Sequence, residues 1–169
     1  MYIYMTTGTM DFMEKVRDQY VDESIILMNG GGSTLLLHET NGKSVFQTPR
    51  KYEVVGTAGD LTHDGYFAMD NVAVTDEGKP IFEHTYKMTG DQLVNMPGFQ
   101  AFRLLRPIGS DTYIVLTEWS DKRHYDLWHN SPGYQLSNPG DFKDQGGAAL
   151  HIFTSAPYTA TYTTPTDEI

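Results

Sequence analysis

Strand-length apolar runs dominate the first third of the chain. Met1-Tyr2-Ile3-Tyr4-Met5 has the aromatic and β-branched content of a strand, and Ser24–Met28, Thr34–Glu39 and Tyr52–Val55 read the same way. After the first strand, Thr9 is placed to cap a short helix. Phe12, Val16 and Tyr20 follow it at i, i+4 and i+8, one helical face. Asn29-Gly30-Gly31-Gly32-Ser33 lies between two strands, and no Lys-Ser/Thr follows it. It reads as a hairpin turn rather than a phosphate loop, which needs a helix behind it. Asn41-Gly42 is a second hairpin signal, returning into Ser44–Gln47 before Pro49 breaks the chain.

Gly56 to Gly65 is polar and glycine-rich, and it reads as the junction between an N-terminal strand-rich α+β part, residues 1–60, and a C-terminal domain, residues 64–165. That domain has a cleaner rhythm. Tyr66–Val74 suits a strand. Thr75 or Asp76 then caps a helix with Pro80 in its first turn, along which Phe82, Tyr86, Thr89, Leu93 and Met96 share a face until Pro97-Gly98. Phe99–Arg106 and Tyr113–Trp119 are strands joined by a Gly109-Ser110-Asp111 turn, and Ser120 caps a second helix to about Asn130. Pro132 starts a further turn that Pro139-Gly140 ends. Ala148–Ser155 is the last expected strand, closed by Pro157, and Tyr158–Thr163 extends the sheet. The order β-α-β-β-α-β is the ferredoxin-like split unit, so the fold class is α+β. That order hosts many functions and names none.

Composition narrows the field. The chain has 169 residues and an apolar fraction of 39%, enough for one core or two small ones. No run of about 18 apolar residues is present, so no membrane partner is expected. Met1–Gly8 lacks a charged leader, which makes the cytoplasm the expected location. Cysteine is absent, which removes disulfides, thiolate metal sites and thiol nucleophiles, and no metal site is expected. A net charge of −10 argues against nucleic acid, which needs a basic surface, and disfavours anionic ligands unless Lys and Arg cluster locally. Gly-x-Ser-x-Gly, His-Glu-x-x-His and a dinucleotide fingerprint are all missing.

Three segments are more specific: Pro97-Gly98-Phe99, the strand Tyr113–Trp119, and Tyr125-Asp126-Leu127-Trp128-His129-Asn130-Ser131. A Pro-Gly-Phe opening, a strand ending in Trp and a Trp nine residues later resemble the antibiotic-biosynthesis-monooxygenase (ABM) superfamily, and within it the heme-degrading members. Phe102-Arg103-Leu104-Leu105-Arg106-Pro107 is similar to the longer HmoB type and to the staphylococcal TRAP type. The resemblance covers residues 64–165. It implies heme held by three residues: an Asn over the heme at Asn71, a Trp pressing on the porphyrin at Trp128, and an axial ligand at position 138. That position holds Asn138, followed by Pro139. An amide is a poor donor to heme iron where imidazole is a good one, which leaves heme held by packing.

His124, four residues before Trp128, shares its helical face and is the candidate substitute for cofactor binding beside Asn138. His129 points about 100° away around the helix. His84 is expected on the solvent side, and His151 faces opposite to Leu150 and Ile152. Apart from the resemblance, Trp128 falls with Tyr125 and Pro132 on an ordinary core stripe, and Asn71 is an uncommon strand residue. Two functions stay open. One is an ABM-type monooxygenase, heme-degrading or without any cofactor, with Asn71 and Trp128 as its catalytic pocket and heme or another small molecule as ligand. The other is a TRAP-like protein that kept the fold without heme chemistry. Single-domain ABM relatives close a barrel by dimerising. Residues 1–60 hold strands enough to replace part of the partner, so a monomer closing a barrel within one chain is expected, with a homodimer as the alternative.

Overall fold

The computed structural model describes residues 1–131 and 154–165. Its strands are β1 (Tyr2–Gly8), β2 (Ile25–Gly30), β3 (Ser33–Thr40), β4 (Arg50–Gly59), β5 (Tyr66–Ala73), β6 (Phe99–Ile108), β7 (Thr112–Trp119) and β8 (Tyr158–Thr163). Its helices are α1 (Met10–Gln19), α2 (Lys79–Lys87), α3 (Thr89–Leu93) and α4 (Lys122–His129). The strands form one closed antiparallel barrel in the order β1-β3-β2-β8-β5-β7-β6-β4, and β4 pairs back onto β1. The α+β ferredoxin-like reading and the barrel are both present.

The closure is internal to the chain. The arc β4-β1-β3-β2 and the arc β8-β5-β7-β6 repeat one order, each with its first helix after its first strand. In the N-terminal arc the segment 41–49 stands where the C-terminal arc has α4. One seam runs along β4 and β6, from Lys51 opposite Ile108 to Gly59 opposite Ala101, with a bulge between Val54 and Gly56. The other joins β2 to β8 at Asn29 and Thr163. Closure thus joins every strand to a neighbour on both sides, though the β2–β8 seam is a single pair.

Three apolar layers follow from the two-residue strand period. Ile3, Met5, Ile26, Met28, Leu35, Leu37, Phe67, Met69, Leu105, Ile114 and Leu116 fill the lumen. Outside the C-terminal arc, Phe82, Tyr86, Leu93, Tyr125 and Trp128 from the helices cover Tyr66, Ala68, Val72, Phe102, Leu104, Tyr113, Val115 and Trp119. Outside the N-terminal arc, Met13 and Phe46 cover Tyr4, Ile25, Leu27 and Leu36.

Several expected elements moved. Ser44–Gln47 is not a strand: β3 already lies between β1 and β2, so a returning hairpin has no edge to pair with. β4 instead crosses to the far side of β1 and continues through Gly56 to Gly59, inside the expected junction. The strand that completes the C-terminal arc is Tyr158–Thr163, paired with β5 from Tyr66–Thr163 to Asn71–Tyr158. Ala148–Phe153 lies outside the described residues, and Thr154 and Ser155 form a bend. Thr9 caps α1 as expected, its hydroxyl accepting from Phe12 N. The buried stripe of α1 is Met10, Met13, Val16 and Tyr20, however, and Phe12 is 60% exposed. Gly78, not Thr75 or Asp76, precedes α2, with Thr75 tying the turn before it. Asp121, not Ser120, caps α4.

Candidate functional site

β5 decides which polar groups share a space. It lies between β8 and β7 with both faces covered, and its cross-strand partners assign each side chain to a face. Asn71 is opposite Ile114 and Tyr158, so it faces the lumen. Trp128 is in the layer outside the sheet. The structure therefore does not bring Asn71 and Trp128 together; a β-sheet stands between them. Correcting the expectation, the polar β5 residue on Trp128's face is Asp70, which is fully buried and accepts from the Thr159 hydroxyl. The pattern did not single out Asp70.

Trp128 is 7% exposed and stacks on Trp119 with ring centroids 5.2 Å apart and planes 26° apart. Tyr125 packs against both rings, at 6.2 and 6.5 Å. Such an aromatic group anchors α4 to the sheet. Among the described residues, two polar atoms within this layer, Thr117 Oγ1 and Trp119 Nε1, are buried without a hydrogen-bond partner. His124 lies in the first turn of α4. Its Nδ1 is 2.7 Å from Asp121 Oδ1 and 3.2 Å from Ser120 Oγ, and its backbone N donates to Asp121 Oδ1 at 2.9 Å. The ring also lies against Gly98, whose φ of 77° and lack of a Cβ permit the approach. These contacts give His124 a place in the helix cap. His129 packs on Tyr125, and His84 is exposed. Asn138 and His151 lie outside the described residues.

The heme implied by the resemblance can be tested against this arrangement. Asn71 faces the lumen, across the sheet from Trp128, Trp128 is stacked on Trp119, and His124 sits in the cap of α4 with its ring against Gly98. The described residues do not fit heme gripped jointly by Asn71, Trp128 and His124.

The lumen carries polar groups at both ends. At one end, Arg103 Nε donates to Glu39 Oε2 at 2.8 Å, and its Nη1 reaches the carbonyls of Phe102 and Gly59. Beside it, Glu118 is fully buried beneath the segment Asp60–Asp64. It accepts from Thr62 N at 2.8 Å and contacts the Thr62 hydroxyl. Burial pushes the Glu118 carboxyl up to about 7, against the opposing pull of Thr62 and Arg103. At the other end, Asn71 and Tyr52 form the floor of a cavity of about 600 Å³, rimmed by Arg50, Lys51, Ile108 and Tyr158. A third polar group anchors α2: Glu83 accepts from both Arg106 Nε (2.8 Å) and Nη2 (2.5 Å), and from the Tyr113 hydroxyl. The Arg106 guanidinium holds the Glu83 carboxyl below its usual range. Glu118, Arg103 and Glu83 were not singled out from the sequence, because a charged residue in a strand or helix carries no local mark of its burial.

Comparison with known proteins supports the resemblance. Residues 66–137 match the family profile described as Antibiotic biosynthesis monooxygenase. A heme-degrading monooxygenase of Listeria monocytogenes is 23% identical over 130 residues, 77% of this chain and 78% of that protein. The signal transduction protein TRAP of Staphylococcus epidermidis is 24% identical over 126 residues, 75% of each chain. A solved structure of a major regulator of staphylococcal pathogenesis superposes with a TM-score of 0.84 at 19% identity, covering 98% of this chain and 100% of that one. At that identity the superposition establishes the fold alone. Among the described residues no helix is long and apolar enough to cross a membrane.

Proposed function

We propose that this chain acts as a TRAP-like, non-catalytic regulatory or stress protein, one that keeps the ABM barrel without heme chemistry. One observation carries the reading: Asn71 and Trp128, the two residues to which the resemblance assigns heme degradation, lie on opposite faces of the β5–β7 sheet. The packing of Trp128 on Trp119 adds to it, since a ring buried in that stack has little surface left to press on a porphyrin. Turnover tests the reading. With hemin and excess ascorbate, the Soret band should decay no faster in the presence of the protein than in its absence. Decay that scales with protein concentration overturns it.

The enzyme reading, an ABM-type monooxygenase, keeps its own support. Asp70 shares the outer face with Trp128, and among the described residues Thr117 Oγ1 and Trp119 Nε1 on that face lack partners that a bound ligand could supply. Oxidation without a cofactor would need only an apolar cleft with a few such groups. A hydroxylated product formed from a supplied phenolic substrate, with no heme present, would favour that reading over the regulatory one.

A further inference from the structure

The cavity at the Asn71 end of the barrel lies across the sheet from Trp128 and takes no part in either reading above. We propose that it is a binding site for a small aromatic carboxylate. Its shape and charge both point there. The cavity measures about 600 Å³, inside the size range of small-molecule sites. Its rim begins β4 with two adjacent cations, Arg50 and Lys51. The chain has 22 acidic residues against 12 Lys and Arg. Among the described residues neither Arg50 nor Lys51 forms an ion pair, a state they share with Lys15, Lys43, Lys87 and Arg123, but these two are adjacent and both line the cavity. Among the described residues no acidic side chain lines the cavity. The nearby Asp111 is turned to the hydroxyls of Thr112 and Thr154.

The walls select more than charge. Arg50 has the strand parity of Tyr52, a lumen residue, and its guanidinium lies at the mouth, where it hydrogen-bonds the Tyr52 hydroxyl and keeps further N–H groups for a carboxylate. Tyr52 and Tyr158 offer ring surface and Ile108 an apolar edge, which suits a flat ring. At the floor, the Asn71 Nδ2 already donates to Met69 O at 3.1 Å. Its Oδ1 remains as an acceptor at this end of the lumen, across the apolar middle from the Arg103 and Glu118 group, placed to receive a ring hydroxyl. An amide in the middle of a barrel strand is unfavourable unless it meets a partner. A hydroxylated aromatic acid would supply one.

Calorimetric titration of the full-length protein with 4-hydroxybenzoate tests this, with benzoate, phenol and inorganic phosphate as comparators. Saturable binding near one equivalent is expected. Phenol and phosphate should each bind at least about tenfold more weakly, since each lacks half of the recognised chemistry. The variant Arg50→Gln/Lys51→Gln should lose about tenfold or more in affinity with an unchanged urea midpoint, because both side chains are exposed. Asn71→Leu should weaken 4-hydroxybenzoate but leave benzoate unchanged. Absence of binding up to about 5 mM, the weak end of small-ligand affinity, overturns the proposal. So does binding indifferent to the charge-removing pair. Phosphate bound as tightly as the aromatic acid would reduce the mouth to a plain anion site and refute the assignment.

Discussion

Replacing Glu118 by Gln should make the protein more stable at neutral and alkaline pH. The carboxyl is fully buried at the Arg103 end of the lumen, where burial raises it from an ordinary 4.5 to about 7. Below pH 4.5 the group is protonated whether the chain is folded or not, and it costs nothing. Between 4.5 and 7 the unfolded chain ionises while the folded one stays protonated, so stability falls as pH rises. Above 7 the full penalty is in place. A shift of that size corresponds to about 3 kcal/mol, at roughly 1.4 kcal/mol for each pH unit. Gln keeps the shape, can still accept from Thr62 N, and can donate to the Thr62 hydroxyl, so little packing is lost. Urea unfolding of wild type and variant at pH 4.5 and pH 8 measures the effect. The variant should be more stable by about 3 kcal/mol more at pH 8 than at pH 4.5. Parallel pH profiles would show that Glu118 ionises normally and would refute the argument.

Trp128→Ala should cost about 3–5 kcal/mol in urea unfolding, because the ring completes the stack with Trp119 and Tyr125; a loss under about 1 kcal/mol would mean that it lines a free pocket instead. A chain beginning at Gly65 exposes the edge of β6 and the lumen faces of Phe67, Met69, Leu105, Ile114 and Leu116. Light scattering should find it dimeric or aggregated, and a truncated domain as monomeric and stable as the full chain would refute closure within one chain.

The helices and most strands were legible because caps and turns leave local marks: Thr9 before α1, the glycines of residues 30–32 between β2 and β3, and Pro97-Gly98 before β6. The candidate site was not. Every residue of β5 from Tyr66 to Val72 is buried, since helices cover one face and the barrel core the other, so its hydrophobic pattern does not alternate. Without alternation, Asp70 and Asn71 cannot be assigned to faces from the letters, and only the pairing with β7 and β8 separates them. Ser44–Gln47 failed for a similar reason. Its turn signal was sound locally, but pairing depends on a free edge, and whether β3 has one is set by the order of the whole barrel. The basic mouth was hidden within a chain of net charge −10, because clustering is a property of the fold and not of the sum.

The central claim is that this barrel keeps the ABM fold without assembling a heme site, and an equilibrium titration with hemin tests it most directly. Absorbance is followed through the Soret region against a protein-free reference. The difference signal should rise without a shifted, saturating band, as expected when Asn71 and Trp128 are divided by the sheet. A shifted Soret band that saturates near one equivalent and is lost in Trp128→Phe would contradict the account.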